Sequence, residues 1–155
     1  MDMETFAQRV EALRPKLYRT AFCYLGSEAA ALDALDEAVY RGLKNLKKLR
    51  QPEYFDTWIT RILLNECSRE KKYWDRLRPM DEVQNLSEAD FDGLPLQEAI
   101  CKLPKELKDV VILRFFSGYT QSETAETLGI PQGTVATRQR RALQLLKLEL
   151  EEVDA

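Results

Sequence analysis

The chain has 155 residues, 45% of them hydrophobic and 32% charged, with a formal net charge of −3 and no histidine. That is enough material for one ordinary domain or two small ones with packed cores. The missing histidine removes Ser-His-Asp and Cys-His nucleophilic sites and the usual zinc ligand sets.

Apolar runs such as "VVIL" at 110–113 and "ILL" at 62–64 fall far short of a bilayer span. The first residues show no basic stretch followed by an apolar core, so no membrane insertion is expected and the cytoplasm is the expected compartment. Cys23, Cys67 and Cys101 stand far apart without paired spacing, which predicts reduced thiols, no disulfide framework and no metal site. No glycine-rich phosphate loop is present, and adjacent carboxylates such as Asp36 and Glu37 point to different sides of a helix. No catalytic residue and no cofactor are therefore assigned, and the chain is not expected to be an enzyme.

In chain order, Phe6, Val10 and Leu13 recur at helical spacing, Pro15 is expected to interrupt, and Leu17, Ala21 and Leu25 continue a second short helix up to Gly26. Ser27 is the expected N-cap for a long amphipathic helix marked by Leu32, Leu35, Val39, Leu43 and Leu46, ending near Gln51-Pro52. A further helix starts around Pro52 or Glu53 and carries Phe55, Trp58, Ile59, Ile62 and Leu63 toward Tyr73 and Trp74. No strand pattern interrupts this stretch, so residues 1–78 read as a helical bundle.

Residues 81–98 hold six acids and no base, include Gly93 and Pro95, and lack helical periodicity. They read as a linker, with boundaries at 79–98, whose 18 acidic-segment residues could reach at most ~60 Å at ~3.3 Å each. The flanking blocks are mildly basic: 15 Lys/Arg against 12 Asp/Glu in residues 1–80, and eight against four in residues 99–148. The last seven residues add four more acids.

The second module, 99–150, opens with a short helix at Ile100 and Leu103. Pro104 begins "PKELKDVVILRFFSG", with Leu107, Val110, Val111 and Phe115 toward a core and Gly118 as the stop. Thr120 is an N-cap with Glu123 at the capping-box position, Leu128-Gly129-Ile130 makes a tight turn, and Pro131 starts the last helix. A helix, a short glycine-containing turn and a second helix form a helix-turn-helix. Ala125 permits close packing, Gly129 takes the turn, and Val135 closes the core. Arg138 and Arg141 share a face with Thr134, where arginine can read guanine or neutralise phosphates in a major groove.

The segment "LPKELKDVVILRFFSGYTQSETAETLGIPQGTVATRQRRAL", residues 103–143, closely resembles region four of bacterial sigma factors of the sigma-seventy family. "ALDALDEAVYRGLKNLKKLRQPEYFDTWITRILLNEC" resembles their region two. The order, with only a short linker between, is similar to the compact extracytoplasmic-function group. The resemblance implies an all-α fold of two small helical domains joined by the acidic linker.

It further implies core RNA polymerase and promoter DNA as partners, and admits an anti-sigma factor among them. By this resemblance Asp33, Asp36, Glu37 and Tyr40 belong to a polymerase-docking helix, Asp33 and Glu37 matching a "DxxxE" pattern. Lys44, Lys47, Lys48, Tyr54, Phe55, Trp58, Arg61 and Asn65 map to capture of the melted minus-ten element. Thr120, Glu123, Thr134, Thr137, Arg138 and Arg141 map to the minus-thirty-five element. Phe55 and Trp58 also sit at helical spacing suited to a core, and Tyr54 is the freer aromatic.

The chain departs from the family at Asp36, where glutamine is usual, at Thr124 and Thr127, usually aliphatic, at Ala136, usually basic, and at Gln139, usually apolar. Gln139 falls one turn after Val135, which leaves it either at a wet edge of the core or at DNA. The competing reading is a stand-alone helix-turn-helix regulator whose N-terminal bundle senses a ligand or dimerises.

Overall fold

The computed structural model describes residues 1–77 and 96–146. The expected linker up to residue 95 and the acidic tail, including the reach calculated for the linker, lie outside the described residues. Among the described residues the regular structure is entirely helical, in seven α-helices.

Helix α1 spans Met3–Leu25 without a break. Asp2 caps it by accepting from the Thr5 amide at 2.8 Å, and Gly26 closes it at φ 71. Pro15 lies inside it, which corrects the expectation of two short helices. A proline in a helix interior costs ~3 kcal/mol or more, but the apolar stripes on both sides of Pro15 are buried, Phe6 and Val10 before it and Leu17, Ala21 and Tyr24 after it. Packing of the two halves outweighs the lost hydrogen bond.

Ser27 caps α2, Glu28–Lys44, through the Ala30 amide. This helix stops earlier than its apolar pattern suggested, and the chain passes through a 3-10 turn at Leu46–Lys48 before a second at Pro52–Tyr54. Helix α3, Phe55–Arg76, follows directly. It crosses α2 closely: a Cβ on Gly42 would sit 2.7 Å from the Ile59 methyl, so the glycine sets the approach of the two helices. Phe55 is fully buried and meets the Phe6 ring edge-on at 5.7 Å.

The second module comprises α4, Leu96–Lys102, α5, Lys105–Val111, α6, Gln121–Leu128, and α7, Gln132–Leu145. The expected helix from Pro104 to Gly118 is regular only to Val111; Ile112–Phe116 widens into a π-helical turn, with the Ser117 amide donating to the Ile112 carbonyl. Gly118 then reverses the chain at φ 77.

The two modules are not separate cores. Tyr24, Leu17 and Ala21 of α1 pack in one apolar cluster with Ile100, Leu103, Ile112 and Leu113. Polar pairs stitch the same seam. Thr20 and Ser117 hydroxyls lie 2.6 Å apart, and Thr60 and Tyr119 hydroxyls 2.9 Å apart. Lys108, with no exposed surface, donates to the Tyr24 carbonyl at 3.4 Å and stands over the Tyr24 ring. Burial lowers its pKa to about 7, and burial raises that of neighbouring Asp109. All three cysteines are free thiols, and burial raises each thiol pKa.

Phe55→Ala removes a ring that joins α1 to α3. Urea or thermal unfolding should show a loss of ~3–5 kcal/mol; a loss under ~1 kcal/mol would refute its central place in the core.

Candidate nucleic-acid and polymerase interfaces

The helix-turn-helix is built from local rules. Thr120 Oγ1 accepts from the Glu123 amide at 3.0 Å, and Glu123 Oε1 accepts from the Thr120 amide at 2.9 Å, a complete capping box. These bonds hold the Glu123 carboxyl below the usual carboxylate range. Gly129 ends α6 at φ 69, a left-handed conformation that costs other residues ~1–2 kcal/mol. Both the Gly129 and Ile130 amides return to the Ala125 carbonyl.

Helix α7 then divides into two faces. Val135, Gln139, Ala142 and Leu143 are buried. Thr134, Arg138 and Arg141 lie on the other side at successive turns, half-buried or exposed, with Thr137 beside them donating to the Gly133 carbonyl. Among the described residues nothing approaches within 4 Å of a Cβ built on Gly133, so there is open space beside that residue at the helix start. Pro131 supplies no side-chain cap; its carbonyl accepts from the Thr134 and Val135 amides, and among the described residues the Gln132 and Gly133 amides at the start of α7 have no side-chain acceptor.

Gln139 faces the core and not the groove side. It is 6% exposed and accepts from Arg114 Nε at 2.9 Å, while Arg114 Nη1 donates to the Tyr119 carbonyl at 2.7 Å. Arg114 thus ties the π-turn to α7 and to the entrance of α6. Sequence reasoning missed it; the signal available was one cation inside "VVILRFF" and one amide inside the apolar stripe of α7. Thr127 satisfies its hydroxyl on the Glu123 carbonyl, whereas the buried Thr124 hydroxyl has no hydrogen-bond partner among the described residues.

On the first module, Tyr54, Trp58, Arg61 and Asn65 follow one another at helical spacing along α3 and its lead-in. Tyr54, Arg61 and Asn65 are exposed, and Trp58 is half-buried against the core. Lys47 and Lys48 are exposed on the 3-10 turn. Phe55 is a correction: with no exposed surface it cannot reach a nucleic-acid strand without unfolding the bundle, so it is a core residue. The lead-in is held by Arg9, which was not anticipated. Its guanidinium donates to the Pro52 carbonyl and to Asp56, both at 3.2 Å, and lies 4.8 Å above the Phe55 ring.

Helix α2 shows a third surface. Ala31, Ala34, Leu35 and Ala38 are buried. Opposite them Leu32, Asp33, Asp36, Glu37 and Tyr40 are exposed as one stripe, acidic with apolar members. Glu37 pairs with Arg41 at 3.3 Å, and Arg41 in turn reaches the buried Glu66 on α3, which Arg69 also binds at 2.7 Å. The stripe is therefore anchored to the bundle at one end. Among the described residues no cluster of His, Cys, Asp and Glu could hold a metal, and no helix is long and apolar enough to cross a membrane.

Residues 9–76 match the family model of sigma-70 region 2, and residues 93–146 that of sigma-70 region 4. RNA polymerase sigma factor SigV of Bacillus subtilis is 33% identical over 142 residues, covering 88% of this chain and 86% of that one. The extracytoplasmic-function sigma factor SigW of the same organism is 28% identical, covering 98% and 92%.

Among solved structures, the sigma factor RpoE from Bartonella quintana, in complex with the anti-sigma factor NepR, is similar in fold. Its TM-score is 0.72 at 22% identity, covering 99% of this chain and 100% of that one. CnrH in complex with the cytosolic domain of CnrY has a TM-score of 0.71 at 21% identity, covering 99% and 92%.

Thr124→Val replaces an unpartnered buried hydroxyl by a methyl of the same shape. Chemical denaturation should show a gain of ~1 kcal/mol; a loss would mean that the hydroxyl is satisfied. With both modules matched in order and a relative similar over most of its length, the chain belongs to the sigma-70 family of RNA polymerase sigma factors, in the extracytoplasmic-function group.

Proposed function

We propose that the chain recruits core RNA polymerase through the exposed stripe of α2, captures the melted minus-ten element along α3, and reads the minus-thirty-five element with α7. In this reading residues 1–78 and 99–150 are the two working modules and 79–98 the tether. The bond-making step belongs to the polymerase, so the chain carries no catalysis of its own and works in the cytoplasm.

The observation that carries the reading is the two-faced α7. Its buried side is engaged in the helix-turn-helix core, and Thr134, Arg138 and Arg141 are left on the other side, half-buried or exposed, beside the Gln132 and Gly133 amides at the helix start. Such a face binds phosphate and base edges together. Tyr54 and Trp58 offer rings for stacking an unpaired base, and Lys47, Lys48, Arg61 and Asn65 offer cations and an amide to its strand. Thr120 and Glu123 stay exposed at the α6 start, although their mutual cap occupies part of their bonding capacity. An anti-sigma factor is a further partner class for the same surfaces.

The net charge of −3 suits a subunit that binds DNA weakly alone, because sequence-independent affinity scales with phosphates neutralised. A stand-alone regulator would bind duplex tightly without polymerase. Two variants separate the roles. Asp33→Lys with Glu37→Lys removes only exposed charges and one surface ion pair worth ~0.2–1 kcal/mol, so helicity should be retained while affinity for core polymerase, titrated by fluorescence anisotropy, falls at least ~tenfold, a coupling of ~1.4 kcal/mol. Unchanged affinity would remove α2 from the docking surface. Arg138→Ala with Arg141→Ala should leave polymerase binding intact and cost ~1–3 kcal/mol per lost base contact in upstream-element recognition by the holoenzyme. Loss of both activities together would overturn the division of labour.

A further inference from the structure

We propose that Gln139, which does not face DNA, is a specificity-determining positioning residue: held by Arg114 and Gln121, it fixes the rotation of α7 about its own axis and so decides which base edges Arg138 and Arg141 meet. This role rests on the reading of α7 proposed above.

Gln139 follows Arg138 directly, and successive residues of an α-helix lie ~100° apart around the axis. The angle at which Gln139 is held is therefore also the angle at which Arg138 leaves the helix. Gln139 is buried, and its Oε1 accepts from Arg114 Nε at 2.9 Å and lies 3.5 Å from Gln121 Nε2. One oxygen thus gathers three elements: the π-turn, the first residue of α6 and the second half of α7.

The other buried side chains of α7, Val135, Ala142 and Leu143, are apolar, and apolar contact is non-directional. Such a face seats a helix but resists rotation about its axis only through shape. Arg114 differs, because its planar fork is held at two points, Nε on Gln139 and Nη1 on the Tyr119 carbonyl at 2.7 Å. A guanidinium so fixed presents its N–H to Gln139 in one direction, and a hydrogen bond weakens steeply once it bends. Tyr119 directly precedes the Thr120 cap, so the same arginine refers α7 to the start of α6.

Rotation would change base reading more than attraction to DNA. A group ~6 Å from the helix axis moves ~2 Å when the helix turns by ~20°. Two-point recognition of a base edge by arginine, with hydrogen-bond distances confined to a range of ~0.5 Å, does not survive that displacement. Attraction to a phosphate does, because it falls off only slowly with distance. Gln139 therefore governs discrimination between bases and leaves general affinity for DNA almost untouched.

The test uses the full chain with core RNA polymerase and a duplex fragment selected from a random pool by the wild-type holoenzyme. Competition against single-base variants of its minus-thirty-five element reads discrimination, and circular dichroism reads folding. Q139M keeps the length of the side chain and removes its acceptor; Q139E keeps the acceptor and adds a charge matched to Arg114. Discrimination should fall about tenfold in Q139M, the scale of one good base contact. Its affinity for random duplex should stay within about twofold of wild type, with the slope of log affinity against log salt unchanged, because no phosphate contact is lost. Q139E should match the wild type in each reading.

Full discrimination in a folded Q139M overturns the proposed role. So does an equal loss of affinity on selected and random duplex, which would make Gln139 a packing residue alone. Loss of discrimination in a folded Q139E overturns the hydrogen bond as the cause. If Q139M does not fold, R114K, which keeps the cation and loses the two-point fork, takes its place with the same expectation; failure of both to fold overturns the role as well, since the network would then be a requirement of folding. R138A with R141A runs in the same competition. Unchanged discrimination there removes α7 from base reading, and the role of Gln139 with it, whereas a loss there beside an unchanged Q139M sinks only the role of Gln139.

Discussion

Everything in this molecule is organised by the sharing of α1. Its first half, through Phe6 and Val10, closes the N-terminal bundle, and its second half, through Leu17, Ala21 and Tyr24, is the floor on which the C-terminal module packs. One continuous helix through Pro15 keeps those two stripes in fixed rotation, so the bundle and the seam are oriented by the same element. Were the chain broken at Pro15, the C-terminal module would have no rigid surface against which to dock, and the polar pairs at Thr20 and Tyr24 would lose their register with Ser117 and Lys108.

The three functional surfaces differ in how they are supported. The α2 stripe is a by-product of amphipathic packing: once its alanine face is buried, the acids and Tyr40 have no choice but solvent. The α7 face depends on more. It needs the Gly129 turn, the capping box and the Arg114–Gln139 bond, which together set where the second helix leaves the first. The α3 surface depends on Arg9 and Phe55 holding the Pro52–Tyr54 turn from beneath. A buried polar contact at Gln139 costs more to leave unpaired than an apolar side chain would, and in exchange it fixes the π-turn against α7.

Much of the candidate site was legible in the residues. Thr120 with Glu123, and Gly129 between two helical runs, carry local conformational preferences strong enough to act without the rest of the chain. Asp33 and Glu37 were readable because helical spacing alone puts them on one side. Phe55 was not settled by spacing, which favoured a core without excluding a stacking platform; burial beneath Arg9 and Phe6 decides it. Gln139 was left open between core and groove for the same reason, and its partner Arg114 lies 25 residues away in sequence.

By itself the sequence determined the helical class, the order of the modules, the helix-turn-helix and the acidic stripe, because each follows from contacts within a few residues: periodicity, caps, and a turn glycine. Only the tertiary structure decided that α1 is unbroken, that Arg61 lies against Gly129, and that Lys108 is buried under Tyr24. Those outcomes depend on side chains dozens of residues apart meeting across a seam. There the free energy of shared apolar burial outweighs local preferences for a proline break or a solvated lysine, and no local pattern records the result.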